Sequence, residues 1–245
     1  MDILFCQCAY AQIVPADRKR QVAAGLAASG AKWTAVADLC GLAAGKAPLL
    51  AELAGRSGLK IVACHPRAIR WLFHRAEAPL QPGRFEVLNM RCQDAGEILS
   101  RLSLGTRGDA SPAPEAAQDG DWIPWFPVID YDRCTNCKQC LEFCLFGVFE
   151  ADAAGKMTVT NPASCKTHCP ACARICPQAA IVFPKVEDTP INGAEVEDEA
   201  LVRARAKINL DEILGDNVYA ALAKRRAKRK AVLLKSRAGD GGRQT

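Results

Sequence analysis

Short apolar runs alternate with longer stretches of mixed polarity through the first hundred residues. ILFC (3–6) is apolar throughout and reads as a strand, with a helix predicted over 16–29. TAVADLC (34–40) gives a second strand and 46–56 a second helix. LKIVAC (59–64) is the clearest strand, and its helix starts at Pro66, a residue suited to a first helical turn. FEVLNMRC (85–92) makes a fourth strand, followed by a helix over 94–102. Strands that alternate with helices imply crossover connections and a parallel sheet. The expected fold of residues 1–104 is therefore a small α/β domain, doubly wound and flavodoxin-like or Rossmann-like.

The periodicity then stops. Residues 105–121 (GTRGDASPAPEAAQDGD) are rich in Gly, Pro, Ala and Asp and read as a linker. WIPWFP follows at 122–127, held extended by its prolines, and its aromatics are expected to seal the two halves together. After Pro184 an acidic loop is predicted over 186–200, then helices over 197–208 and 210–234 with a break near Gly215. Leu201, Val202, Ile208, Leu210, Ile213 and Leu214 suggest packing on a core or a partner. The last residues, from Ala238, read as disordered.

At 245 residues the chain has room for two cores, and 49% hydrophobic with 24% charged residues is ordinary for a globular protein. No apolar run is long enough to cross a bilayer. The start, MDILFCQCAY, lacks the basic region and cleavage site of a signal peptide, so the expected location is cytoplasmic. The net charge of +5 comes from the run KRRAKRKAVLLKSR (224–237), not from a basic surface spread over the chain. Nucleic acid is therefore not an expected partner, and a solvated tail or a strip for an acidic partner protein is the simpler reading.

Thirteen cysteines are what changes the picture. Eight fall in two runs, CTNCKQCLEFC (134–144) and CKTHCPACARICP (165–177). Zinc sites usually pair two C-x2-C units across a longer spacer, whereas each run here carries four cysteines. Disulfides need an oxidising compartment, and nothing points to export. Closely spaced cysteines curl the chain around an iron–sulfur cubane, and in two-cluster proteins the fourth cysteine of each run ligates the other cluster. This assigns one [4Fe-4S] cluster to Cys134, Cys137, Cys140 and Cys176, and a second to Cys144, Cys165, Cys169 and Cys172. The other five, Cys6, Cys8, Cys40, Cys64 and Cys92, fall at or just past the carboxyl ends of the four predicted strands. In an open parallel sheet those ends share one edge, where ligands bind. A third metal site made from four of the five is expected there.

Two resemblances follow from these residues. Residues 128–184 resemble bacterial-type two-cluster [4Fe-4S] ferredoxin domains, keeping the terminal Cys176-Pro177 and a following strand AAIVF (179–183). They depart from that pattern at Leu145, where proline usually stands, and by the extra residue in Lys166-Thr167-His168, which makes Cys165 the least secure ligand. Residues 1–104, through FCQC, DLC, VACHPRAIRWLFHRA and LNMRCQ, resemble the N-terminal domain of the flavin-bearing component of heterodisulfide reductase. That family's C-S-P-R segment is matched by Cys64-His65-Pro66-Arg67, and the end of its helix by Phe73-His74-Arg75-Ala76. Because the family's domain carries a [4Fe-4S] cluster, the resemblance implies Cys6, Cys8, Cys40 and Cys64 as ligands. Cys92 has no counterpart there and competes with the C-x-C pair for a place. The chain contains no Gly-x-Gly-x-x-Gly turn, so no flavin is expected in it.

No nucleophile or acid–base pair is recognisable, so the expected role is electron transfer rather than catalysis by this chain alone. The implied partners are redox proteins, as subunits of a heterodisulfide-reductase-like oxidoreductase complex. Arg67, Arg70 and Arg75 on the helix after Cys64 are candidates for raising a cluster's potential or for a solvated face. His65 and His168 read as positioning or loop residues. One alternative is a thiol/disulfide reductase whose Cys64 is activated ahead of a helix N-terminus. Another is an iron–sulfur redox sensor that binds nucleic acid through its basic tail.

Overall fold

The computed structural model describes residues 2–103 and 122–214, with 220, 223, 224, 227 and 228; of 208–214 it describes the backbone alone. The predicted linker 105–121 and nearly all of the basic run 224–237 lie outside the described residues. The chain forms two compact units: residues 1–124 with 184–194, and residues 125–183 with 195–245.

The first unit is built on four parallel strands, β1 (Ile3–Cys6), β2 (Trp33–Val36), β3 (Leu59–Ala63) and β4 (Phe85–Asn89), in the order β2-β1-β3-β4. Ile3 pairs with Trp33 on one side and Lys60 on the other, and Leu59 with Phe85. All four residues of β1 are buried, as expected of a central strand covered on both faces. Successive side chains point to opposite faces. Ile3, Phe5, Val62 and Leu88 join Val22 and Leu26 of α1 (Ala16–Ala28) and Ile98 and Leu102 of the last helix of this unit in one core. The helices α2 (Leu39–Ala44), α3 (Pro48–Ala54), α4 (Pro66–Arg75) and α5 (Ala95–Leu102) complete the unit. Prolines open α3 and α4, and a capping box between Asp94 and Glu97 starts α5.

Two predicted strands, 34–40 and 85–92, are shorter than expected, and a helix precedes the one predicted over 46–56. The run 34–40 is not one strand: β2 stops at Val36, and Asp38 caps α2 by accepting the Gly41 N–H at 2.9 Å. Cys40 thus lies in the first turn of a helix. The single helix predicted over 46–56 is α3, preceded by the separate α2. β4 also ends at Asn89, three residues before Cys92.

Residues 184–194 return to the first unit as an irregular strap. Arg67, buried on α4, donates to the carbonyls of Pro190 and Ala194 at 3.2 Å each. Arg91 donates to those of Pro184 and Val186 at 3.2 and 2.8 Å. Arg67 is therefore a strap anchor rather than part of a solvated face.

The second unit pairs β5 (Val128–Ile129) antiparallel with β8 (Ile181–Val182), and β6 (Phe149–Ala151) with β7 (Met157–Val159). The short helices α6 (Gln139–Phe143) and α7 (Ala171–Arg174) pack against each other, and α8 (Glu199–Leu214) lies against α7. On α8 Leu201 is exposed, while Ala206 is buried. Among the described residues no helix is long and apolar enough to cross a membrane.

Candidate functional site

In the second unit the two cysteine runs are shaped by residues held at positive φ. Asn136 (56°) and Lys138 (64°) turn the chain between Cys134, Cys137 and Cys140, and His168 (63°) does the same before Cys169. Left-handed backbone is unfavourable for side chains other than Gly, Asn and Asp, so it suits Asn136 and costs energy at Lys138. Asn136 is held: its Oδ1 accepts the Met157 N–H at 3.0 Å. The outcome is one cavity lined by Cys134, Cys137, Cys140 and Cys176, with Ile181 and Ala180 as apolar wall.

These four thiols feel each other. Burial pushes Cys140 up to about 12, and Cys176, Cys137 and Cys134 push in the same direction. Cys176 is raised by burial against the pull of backbone N–H groups at Gln178, Ala180 and Ile181, of which Ala180 donates to Sγ at 3.3 Å. Such donors favour the thiolate and recur around cluster sulfurs. The other four form a second set: burial pushes Cys165 up to about 12, with Cys144 and Cys169 adding to it. Cys172 is raised by burial, then by Cys144 and by Cys140 of the first set. The helices α6 and α7, side by side, carry Cys140 and Cys172 and bring the two sets next to each other.

Sequence reading missed the supports. Arg133 donates through Nε to the Gln178 carbonyl at 2.7 Å and grips both carboxylate oxygens of Glu199 at 2.8 Å. One side chain thus ties the start of the first run to the loop after Cys176 and to α8. Trp125 is buried, its ring 5.1 Å from His168 and 5.7 Å from Phe183.

In the first unit the structure brings together Cys6, Cys8, Cys40 and Cys64. Cys6, Cys8 and Cys40 are buried. Cys6 is raised by burial, then by Cys8, Asp38 and Cys64. Cys40 is raised by burial with Cys64 and Cys8 contributing. Cys64 is pushed up to about 12 by burial first and Cys8 second. The Leu39 N–H donates to Cys6 Sγ at 3.4 Å. Cys6 ends β1, Cys8 lies just past it and Cys64 follows β3, the two neighbours between which the strand order reverses; ligands bind at such a switch point. Cys92 stands apart in character. It is exposed in the turn after β4, its Sγ accepting from Asn89 Nδ2 at 3.4 Å. Asn89 also meets Nδ1 of the buried His65 at 3.0 Å, and burial followed by Arg91 pulls that imidazole down to about 4. Ahead of the α4 N-terminus, where a dipole favours the thiolate, Cys64 is opposed first by burial and then by Cys8.

One feature of this site had no counterpart in the sequence reading. Lys185, carried in by the strap, has a side chain only 3% exposed, and its Nζ lies 2.8 Å from Asp38 Oδ2. It donates to Asp38 Oδ1 at 2.9 Å and to the Pro124 carbonyl at 2.7 Å. Burial alone would lower this ammonium, but Cys40 and Asp38 outweigh it and hold its pKa above the ordinary lysine value.

Among the described residues, no three His, Cys, Asp or Glu side chains converge as a single metal ion requires. A cubane instead takes one thiolate at each of four corner irons, so it calls for four sulfurs around a space. Each of the three sets supplies four thiols, three of them buried in the first unit and one in each set of the second, and the Cys6 and Cys176 sulfurs accept backbone N–H groups. The donor chemistry fits an iron–sulfur cluster in each.

Comparison with known proteins bears on the second unit. Residues 126–204 match the family described as a 4Fe-4S dicluster domain. An uncharacterized ferredoxin of Methanocaldococcus jannaschii is 48% identical over 63 residues, which is 25% of this chain and 42% of that protein. Ferredoxin-3 of Nostoc is 32% identical over 75 residues, 23% of this chain and 76% of that protein. The chain thus spans less than half the length of the first relative. No solved structure matches the chain significantly.

Proposed function

We propose a function from this premise: the chain belongs to the 4Fe-4S dicluster ferredoxin family through residues 126–204. It is an iron–sulfur electron-transfer protein with two [4Fe-4S] clusters in that segment. In our reading the first is ligated by Cys134, Cys137, Cys140 and Cys176, and the second by Cys144, Cys165, Cys169 and Cys172. A third [4Fe-4S] cluster is held in the first unit by Cys6, Cys8, Cys40 and Cys64, with Cys92 outside the set. The observation that carries the third site is the gathering of these four thiols, largely buried and within each other's field, at the switch point of the parallel sheet.

With three sites the chain is a relay that takes electrons from one redox protein and delivers them to another. The strand order 2-1-3-4 supports a flavodoxin-like first unit. The likeness of residues 1–104 to the front domain of the flavin-bearing heterodisulfide reductase component supports a place in an oxidoreductase complex of that kind.

The test is a count of iron and acid-labile sulfide per chain on anaerobically prepared protein, with zinc measured alongside. About twelve irons are expected, four per cluster. About eight would confine the clusters to residues 134–176 and sink the third site. A Cys64→Ser chain should drop from about twelve to about eight, and a Cys92→Ser chain should keep all twelve.

A further inference from the structure

A buried Lys–Asp pair beside four thiols calls for a physical account. Taking both charges out of water costs several kcal/mol per ion, and a well-packed apolar pair of similar volume is often at least as stable. Fold stability is therefore a weak reason for Lys185 to reach Asp38 from 147 residues away in sequence. The arrangement offers a better one. Asp38 stands two residues before Cys40, and the Leu39 N–H between them donates to Cys6 Sγ at 3.4 Å, so a fixed carboxylate lies beside those sulfurs. Lys185, its Nζ 2.8 Å from the Asp38 carboxylate, brings a fixed positive charge to the same edge of the site. The two charges thus act on the same site with opposite sign. Neither can drift: Asp38 is held by the Gly41 N–H, and Lys185 by the Pro124 carbonyl and a strap fastened through Arg67 and Arg91.

We propose that Lys185 and Asp38 set the reduction potential of the N-terminal four-cysteine site from opposite sides, Lys185 raising it and Asp38 lowering it. The inference rests on the reading of that site as a third cluster. Reduction there takes up one electron and no proton, and breaks no bond, so it adds one negative charge to a group already bounded by four thiolates. A fixed cation nearby favours that added charge and a fixed anion opposes it. In the low dielectric of a buried site both effects are larger than at a surface. Lys185 and Asp38 are positioning residues in this sense, acting on the group through its ligands' field rather than as ligands.

The experiment is a redox titration of the full chain followed by electron paramagnetic resonance, on wild type, Lys185→Met, Lys185→Arg and Asp38→Asn. The signal of the N-terminal site is identified as the one missing from a Cys64→Ser chain, and the two ferredoxin clusters serve as internal controls. Lys185→Met should move the N-terminal potential to more negative values and Asp38→Asn to more positive ones. Lys185→Arg should stay near wild type. Asparagine caps a helix about as well as aspartate, so Asp38→Asn removes the charge and keeps the start of α2. If Lys185→Met fails to assemble its cluster, Asp38→Asn alone decides. Potentials that do not move, or that move the same way in both neutralised variants, overturn the inference while leaving the third cluster standing. A wild-type count of about eight irons overturns the reading beneath it and the inference together.

Discussion

Small departures from ordinary backbone and charge rules carry much of the site. Gly193 has φ +94°, and a Cβ there would lie 2.5 Å from the Ala68 Cβ and 3.0 Å from its backbone nitrogen. The strap can pass α4 at that point because there is no side chain. Gly193→Ala should combine backbone strain with overpacking and destabilise the first unit by about 2 kcal/mol or more, read as a lowered midpoint in chemical denaturation. An unchanged midpoint would mean that the strap shifts freely there. The same residue-scale physics separates the cysteines. Cys64 precedes a helix N-terminus, where a dipole favours the thiolate, while burial, followed by Cys8, pushes the thiol up to about 12. Proximity to a helix end was visible in the sequence, and depth of burial was not.

Helix starts explain where element boundaries fell and where they were misread. The residues VADLC look like the end of a buried strand, but aspartate ahead of an apolar stretch is also an N-cap, and the cap prevails at Asp38. That choice moves Cys40 from a strand end to the first turn of α2 and turns Asp38 toward the cysteines. The same device starts α5: Asp94 accepts the Glu97 N–H at 2.8 Å, and Glu97 accepts the Asp94 N–H at 3.2 Å. Asp94→Ala should cost about 1 kcal/mol in unfolding free energy. Because α5 packs with α1 on the core through Ile98 and Leu102, that loss should leave the iron count unchanged. A loss of iron in this variant would show that α5 bears on the cysteine site directly.

At the scale of the whole chain, the first unit is closed by residues that follow the ferredoxin cysteines in sequence. Residues 184–194 supply Lys185 and the carbonyls that Arg67 and Arg91 bind. Replacing 184–194 with a flexible Gly/Ser chain of equal length should strip iron from the N-terminal site, taking the count from about twelve to about eight. The clusters of residues 134–176 should remain. Retention of all twelve would mean that the strap is dispensable for assembly. In the second unit, Arg133 and Glu199 extend the ferredoxin framework to α8, in keeping with a family match that runs to residue 204 rather than ending near 184.

Local order along the chain was enough to determine the alternation of strands and helices, the parallel sheet and the two cysteine runs. Each of these depends on residues near in sequence: apolar runs for strands, prolines and caps for helices, and two- or three-residue spacings for thiols that face one space. The resemblance of residues 1–104 already pointed to Cys6, Cys8, Cys40 and Cys64, and what tertiary structure alone decided is that the first three are buried while Cys92 stays exposed. It also decided that Lys185 is buried against Asp38 and that Arg133 grips Glu199. Those contacts join residues 147 and 66 positions apart. A lone lysine in an acidic stretch reads as solvated, and only the fold, by removing water from around it, makes its charge act on the site.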